Sequence, residues 1–267
     1  MKLQPVAGIV LRQLYLIRGS PVRVLPIFAW VAVDIVLWGF ITRYLDSVSA
    51  SGINFVSTLL GAVLLWDLFT RIMHGITTAF LEDVWSRNFL NLFATPLRIS
   101  EYVTGLVLTS LATSTLGLII MLALATVCFG LSYLALGALL IPLLLTLTGF
   151  GIALGILASA LVLRLGPASE WLVWPLPALL SPFACVFYPL AVLPHWMRLI
   201  AYALPPAYVF EGMRSVLGGR TPPAVPLACA VLLSLAYIVA AAYLFSRVYR
   251  YAVRTGLLAR YSAETVN

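Results

Sequence analysis

Four ionisable residues lie inside two long apolar stretches of this chain. Asp34 lies in the first stretch, and Asp67, Arg71 and His74 lie in the second. An ionised group at the centre of a bilayer costs about 2.5–3.5 kcal/mol on insertion scales, so each must face protein or water. Asp67 and Arg71 are four residues apart and can pair on one helix face. The cluster predicts either a structural ion pair, with Asp34 as a third member, or the polar lining of a substrate path or gate.

Aromatic residues share these two stretches, among them Trp38 and Trp66. Tryptophan collects at membrane interfaces, so a belt or a packing role is expected for most of them. The alternative is that Trp38 and Trp66 line the same path or gate as the ionisable residues. Arg71 and His74, which lie nearest the end of their stretch, are better gate candidates than Asp34.

The densest charge in the chain lies between two apolar stretches, in residues 81–100. Glu82 and Asp83 open this segment, and acidic residues suit the first turn of a helix. Trp85 and Phe89 continue an apolar pattern at helical spacing, which predicts a short amphipathic helix over 82–94. Its outward residues include Arg87 and Asn88. Such a helix either lies on lipid headgroups or docks a cytoplasmic partner, and composition leaves both possibilities open.

The elements that carry these residues belong to an all-α integral membrane protein. Of 267 residues, 63% are hydrophobic and 9% are charged, against about 45–50% and about 25% in globular domains. The mean hydropathy is +1.06. We therefore expect one transmembrane domain over 1–267. Its predicted six spans are 22–42, 55–80, 101–129, 134–163, 171–193 and 226–249.

Three further features complete the predicted architecture. Residues 1–20 have an apolar stripe typical of an amphipathic helix in the interface plane. Residues 194–217 are too short and too broken to cross as one helix, which suggests a re-entrant helix pair between spans 5 and 6. In the fourth span, Gly151, Gly155 and Ser159 form a small-residue face that we expect to pack helices within one subunit.

Basic residues set the expected orientation. The loops on the side of the two termini carry eleven of the sixteen lysines and arginines, and an excess of this kind marks the cytoplasmic face. The net charge of +7 is then explained by contact with anionic membrane lipid, and we expect no nucleic acid partner.

The counts of lysine, histidine and cysteine exclude several kinds of chemistry. Lys2 is the single lysine, so a phosphate-binding loop with its lysine after a glycine-rich turn is impossible in this sequence. Two histidines and three scattered cysteines favour no metal site and no intramembrane enzyme. We expect no catalytic residues and no cofactor bound by this chain. Asp34, Asp67 and His74 leave a proton-coupled secondary transporter open as one function.

Two runs of residues match the pattern of a known family. The first is Leu92-Phe93-Ala94-Thr95-Pro96-Leu97, followed by Glu101-Tyr102 and Gly105. The second comprises Tyr188-Pro189-Leu190, Leu193-Pro194, Trp196, Ile200-Ala201, Pro205, Tyr208 and Arg214. Together they resemble the type-2 ATP-binding-cassette (ABC) transporter permeases, the family of drug, polysaccharide and lipooligosaccharide exporters. One departure is Leu204, which stands before Pro205 where many members carry asparagine.

The resemblance implies a multi-pass permease in the plasma (inner) membrane of a prokaryote, with both termini cytoplasmic. Two copies of a separate ABC ATPase would hydrolyse MgATP, and a second permease chain, as in a homodimer, would complete the pathway. The cargo would be an amphipathic, lipid-linked or drug-like substrate moved outward. The helix over 82–94 would couple to the ATPase through Glu82, Asp83, Trp85, Arg87, Asn88 and Phe89. Residues Tyr188, Pro189, Pro194, Pro205, Tyr208 and Arg214 would belong to the re-entrant segment.

Overall fold

A computed structural model describes residues 3–48, 55–86, 88–221 and 224–257 of the chain. Every regular element within these ranges is a helix, which confirms the all-α class. A π-helical turn, Val56–Leu60, leads directly into α3, and a 3₁₀ turn, Leu134–Leu139, leads into α6. The helices are α1 (Leu3–Arg18), α2 (Pro21–Val48), α3 (Gly61–Trp85), α4 (Phe89–Phe93), α5 (Ile99–Phe129), α6 (Leu140–Leu165), α7 (Glu170–Val173), α8 (Leu176–Leu180), α9 (His195–Ala203), α10 (Pro205–Leu217) and α11 (Ala224–Arg254).

Four helical stretches are long and apolar enough to cross a membrane. They are Val56–Trp85, Ile99–Phe129, Leu136–Leu165 and Ala224–Arg254. The two outer stretches of the bundle, α5 and α11, keep most of their apolar side chains on the outside, as expected for helices that face lipid. The chain is therefore a multi-pass membrane protein.

Helix α6 lies at the centre of the bundle, between α3 and α11. Glycines allow it to approach α3 closely: a Cβ at Gly155 would lie 2.9 Å from the Ile76 Cβ and 3.1 Å from the Met73 carbonyl oxygen. A Cβ at Gly151 would lie 3.0 Å from the Phe69 carbonyl oxygen. The small-residue face thus packs two helices of the same subunit, as expected.

The segment predicted as the fifth span, 171–193, is divided into short helices and turns. Helix α7 ends at Val173, α8 begins at Leu176, and turns follow from Ser181 onward. The cause is proline, which has no N–H to donate to the carbonyl four residues earlier. Pro175, Pro177 and Pro182 each remove one bond of this kind. The backbone still follows a helical path, with the Ala184 N–H donating to the Leu180 carbonyl at 3.0 Å.

The helix predicted over 82–94 is two helices. Helix α3 continues through Glu82 and Asp83 to Trp85, and the chain restarts as α4 at Phe89. The reason is that Phe80, Leu81 and Val84 extend the buried face of α3, so the helix gains packing by running on. Glu82 and Asp83 therefore lie in the last turn of a long helix and not in the first turn of a short one.

Residues 194–217 do form a pair of helices, α9 and α10. They meet at Leu204, whose extended backbone (φ −103°, ψ 118°) is the conformation that a following proline favours. Pro205 occupies the first turn of α10, where its missing N–H breaks no helical bond.

The close approach of α6 to α3 can be tested by adding one methyl group at Gly155. Gly155→Ala should lower the free energy of unfolding by about 1–3 kcal/mol, because its methyl group would overlap Ile76 and the Met73 carbonyl. The matched control is Gly8→Ala in α1, where nothing lies within 4 Å of the added Cβ. Reversible unfolding in mixed micelles measures both. Equal stability of the two variants would contradict this packing.

Candidate functional site

The carboxylate of Asp83 accepts three side-chain hydrogen bonds, which come from two neighbouring helices. It is 0% exposed. Arg12 of α1 donates through Nη1 to Oδ2 at 3.0 Å, and its Nη2 pairs with Oδ1. Tyr102 of α5 donates its hydroxyl to the same Oδ2 at 2.7 Å. We call these three residues the Asp83 clasp, because they join α1, α3 and α5.

The clasp satisfies the electrostatic requirements of a buried carboxylate. Removing an ionised carboxylate from water costs several kcal/mol unless a cation and hydrogen bonds replace the solvent. The two-point contact from Arg12 and the hydroxyl of Tyr102 supply both. The hydrogen bond to Asp83 also raises the pKa of the Arg12 guanidinium, so this cation stays charged at every physiological pH.

Neighbouring side chains fix the clasp in place. The carboxylate of Glu101 accepts a hydrogen bond from the Arg98 N–H at 3.1 Å, which starts α5 beside Tyr102. A Cβ at Gly105 would lie 2.5 Å from Ile9, so only glycine allows α1 to approach α5 this closely. The Glu101, Tyr102 and Gly105 of the family-like motif therefore serve one junction.

Helix α4 packs on the same junction through Phe89. The Phe89 ring lies 5.5 Å from Phe80 and 5.8 Å from Tyr102, both edge to face. Phe89 is buried. The segment after α3 is thus attached to the clasp by an aromatic cluster.

A cavity of about 570 Å³ lies next to the clasp, bounded by α1, α2, α3 and α5. Its α3 wall carries polar residues at helical spacing, from Asp67 to Glu82. The facing α5 wall carries four hydroxyl groups. The residues that line it include Gln13, Ile17, Asp34, Asp67, Arg71, His74, Glu82, Leu106, Thr109, Ser110, Thr113, Ser114 and Trp174.

Inside the cavity, Asp67 and Arg71 form the expected ion pair between Oδ2 and Nε. Asp34 lines the same cavity from α2, but it forms no hydrogen bond or ion pair with any residue that the structure describes. Arg71 attracts the Asp34 carboxylate through space, so Asp34 belongs to this charged group without bonding directly to the pair. The His74 ring packs on Trp174 with centroids 4.7 Å apart.

Two cavity side chains carry buried nitrogen atoms without a described partner. They are Nε2 of His74 and Nε2 of Gln13. Gln13 is only 3% exposed. Buried polar atoms are normally hydrogen-bonded, so these two are sites where a further molecule could be bound.

Trp38 and Trp66 are not among the described residues that line this cavity. Trp38 stacks on Phe187 at 5.1 Å, and Trp66 packs on Phe69 at 4.6 Å. Trp66 precedes Asp67 and is rotated about 100° around the helix, so it faces the core while Asp67 faces the cavity. The structure separates the predicted aromatic residues from the polar ones.

The predicted coupling residues divide into two groups. Asp83 and Phe89 are buried in the clasp region, so their side chains are not available to a partner. Trp85 is 50% exposed at the end of α3, Asn88 is half-buried, and Glu82 lines the end of the cavity. Arg87 lies outside the described residues.

Residues of the predicted re-entrant segment brace the proline-broken chain. Arg214 donates to the Cys185 carbonyl at 2.6 Å and to Glu211 at 3.0 Å. Glu211 in turn accepts from the Leu190 N–H at 2.6 Å. Tyr188 donates to the Pro182 carbonyl and Tyr208 to the Tyr202 carbonyl. Pro189 and Pro194 directly precede the 3₁₀ turn at 190–192 and α9.

Sequence reasoning missed Arg12 and Gln13 as site residues. Both lie on α1, and nothing in their spacing connects Arg12 with Asp83, 71 positions away. Tyr102 could have been recognised from the sequence because it belongs to the family-like motif, whereas nothing in the sequence identified Asp83 as its partner.

Comparison with protein families gives one match. The model described as ABC-2 type transporter matches residues 22–217, well over half of the chain. No curated protein matches this chain.

The clasp makes the second prediction. Arg12→Met should lower the free energy of unfolding by about 2–3 kcal/mol, because it leaves Asp83 buried without its cation. The Arg12 side chain is itself 27% exposed, so the expected loss is smaller than the loss of about 3–5 kcal/mol for breaking a fully buried pair. The exposed Arg18, on the same helix, supplies the control Arg18→Met, with an expected change within about 0.5 kcal/mol.

A double-mutant cycle separates the pair from its surroundings. Combining Arg12→Met with Asp83→Leu should cost less than the sum of the two single variants by about 1 kcal/mol or more, since both charges leave together. Strict additivity of the two losses would contradict the clasp.

Proposed function

The chain belongs to the ABC-2 type transporter family, and on that premise we propose that it is the transmembrane permease subunit of an ATP-driven exporter. It moves an amphipathic, lipid-linked or drug-like substrate out of the cytoplasm. Separate nucleotide-binding subunits hydrolyse MgATP, in agreement with the single lysine at position 2 of this sequence. Two copies of the permease chain pair with two copies of the ATPase.

The polar cavity is the observation that carries this proposal. Its α3 wall runs from Asp67 to Glu82, an axial rise of about 22 Å, which is much of the thickness of a bilayer core. Polar side chains at membrane depth must face protein or water. The cavity is therefore the substrate path, and a second copy of the chain closes its open side from lipid.

The proposed topology has six crossings. The four long apolar stretches supply four, and α2, with 28 residues, supplies another at about 42 Å. The proline-broken segment from Glu170 onward crosses as the fifth, followed by α9 and α10 as the re-entrant pair. Six crossings place both termini on the side with most basic residues, the cytoplasm of a prokaryotic cell.

The ATPase docks at the end of α3 and at α4. Trp85 offers a half-exposed ring there, and Glu82 and Asn88 offer polar groups. Because the clasp ties this end of α3 to α1 and α5, a push on the docking surface moves three helices that bound the cavity. That linkage is the coupling between ATP hydrolysis and transport.

Removing the docking side chain makes the third prediction. Trp85→Ala should weaken binding of the ATPase about tenfold or more, as for a central aromatic contact, and abolish ATP-driven transport. The free energy of unfolding of Trp85→Ala should stay close to that of the wild type, because half of the Trp85 ring is exposed. The control is Trp196→Ala on α9, also exposed and on the opposite side of the proposed topology. Unchanged ATPase binding by Trp85→Ala would exclude this docking surface.

Reconstitution tests the function itself. The permease and an ABC ATPase that co-purifies with it are placed in proteoliposomes, and uptake of a fluorescent amphiphile is followed. We expect uptake that requires MgATP and is blocked by vanadate. Uptake driven by a proton gradient without the ATPase would favour the alternative, a proton-coupled transporter using Asp34, Asp67 and His74.

A further inference from the structure

We propose that the cavity selects organic cations, with Asp34 as the carboxylate that recognises the positive charge of the cargo. The proposal rests on the cavity being the substrate path, and it names the chemical class of the substrate. It excludes cargo whose charged group is anionic, such as a phosphate, from the Asp34 end of the cavity.

The cavity lining carries unequal numbers of acidic and basic groups. At the Asp34 end of the cavity, the described lining residues include two carboxylates, Asp34 and Asp67, and one arginine, Arg71. Arg71 is bonded to Asp67 in the next helical turn. The cavity therefore presents more negative than positive groups to its contents, and like charges inside it would repel an anionic cargo.

The bonding of Asp34 differs from that of Asp67. The Asp34 carboxylate faces the cavity from α2 and has no hydrogen bond or ion pair within the described part of the chain. At membrane depth an unpaired carboxylate is costly, and a cation beside it recovers the lost energy. Arg71 attracts Asp34 through space but is bonded directly to Asp67, so its one positive charge is shared between two carboxylates. A cationic cargo adds the charge that Asp34 lacks.

Gln13 points separately to a ligand, at the opposite end of the cavity from Asp34. Gln13 is almost fully buried, and its Nε2 donor has no partner in the described residues. An amide donor in this position needs an acceptor, which a protein interior normally provides. A cargo with a hydrogen-bond acceptor away from its cationic centre satisfies Gln13 and Asp34 together.

Apolar surface between these two points fits the body of such a molecule. Ile17, Leu106 and the Trp174 ring line the cavity beside the polar groups. An indole ring also attracts cations through its face. The matching cargo is an elongated amphipathic amine or quaternary cation with an acceptor group near one end.

Equilibrium binding of two ions of nearly equal shape tests the charge selection. Tetraphenylphosphonium and tetraphenylborate are titrated separately into the purified full-length permease, without the ATPase. Asp34→Asn should weaken phosphonium binding about tenfold, since one charge contact is lost, and leave borate binding unchanged or tighter. Comparing variants with the same probe cancels partition of that probe into detergent.

Matched variants separate recognition from folding. Asp46→Asn is the control, because Asp46 belongs to the same helix but bonds to the Phe55 N–H at 2.9 Å, outside the cavity. Asp34→Glu keeps the charge and should retain phosphonium binding. Thr113→Lys, on the facing wall, should weaken phosphonium and strengthen borate even if Asp34→Asn does not fold.

Every outcome of these binding measurements either supports the proposal or overturns it. It is overturned if Asp34→Asn changes neither probe or both equally, or if Thr113→Lys fails to favour the anion. Loss of dimerisation with unchanged phosphonium binding would show that a cation of the second copy pairs with Asp34, and would also overturn it. Failure of ATP-driven uptake with Asp34-dependent phosphonium binding intact would reject the exporter function and leave the cation site standing.

Discussion

The buried carboxylate of Asp83 is the constraint on which the rest of this molecule depends. A carboxylate without exposure to solvent must be paired, so α1 has to lie where Arg12 reaches it and α5 where Tyr102 does. That placement brings α1 so close to α5 that residue 105 must be glycine. The same three helices then bound the polar cavity. One charge at the end of α3 thereby sets the position of the cavity and joins it to the proposed docking surface.

The polar cavity and the proline-broken segment are related consequences of building a path through a membrane. Ionisable groups and irregular backbone are both tolerated at membrane depth only where protein or water covers them. Trp174, directly before Pro175, lines the cavity and packs on His74. Arg214 and Glu211 hold the far end of the broken segment by its backbone. The proposed exporter therefore surrounds its polar cavity with α1, α2, α3, α5 and Trp174, while α6 and α11 supply a regular apolar support.

Local patterns were predictable from the sequence, and distant contacts were not. The helical class, the approximate positions of the long helices and the Asp67–Arg71 pair follow from apolar runs and four-residue spacing. The role of Asp83 did not follow, because its partners come from helices 71 and 19 positions away. The continuation of α3 past Leu81 depends on packing against neighbouring helices. The spacing of acidic and apolar residues around Asp83 described the segment as amphipathic but could not tell that its acid faces inward.

Thiol accessibility tests most directly whether the cavity is the transport path. In a variant whose three native cysteines are replaced, single cysteines are placed at Thr113, inside the cavity, and at Leu108, on the same helix and 45% exposed outside it. A membrane-impermeant thiol reagent is added to the protein in liposomes. A water-filled path predicts fast modification of Thr113→Cys and slow modification of Leu108→Cys, although Leu108 is nearer the end of the helix. Slow modification of Thr113→Cys, or faster modification of Leu108→Cys, would contradict the account.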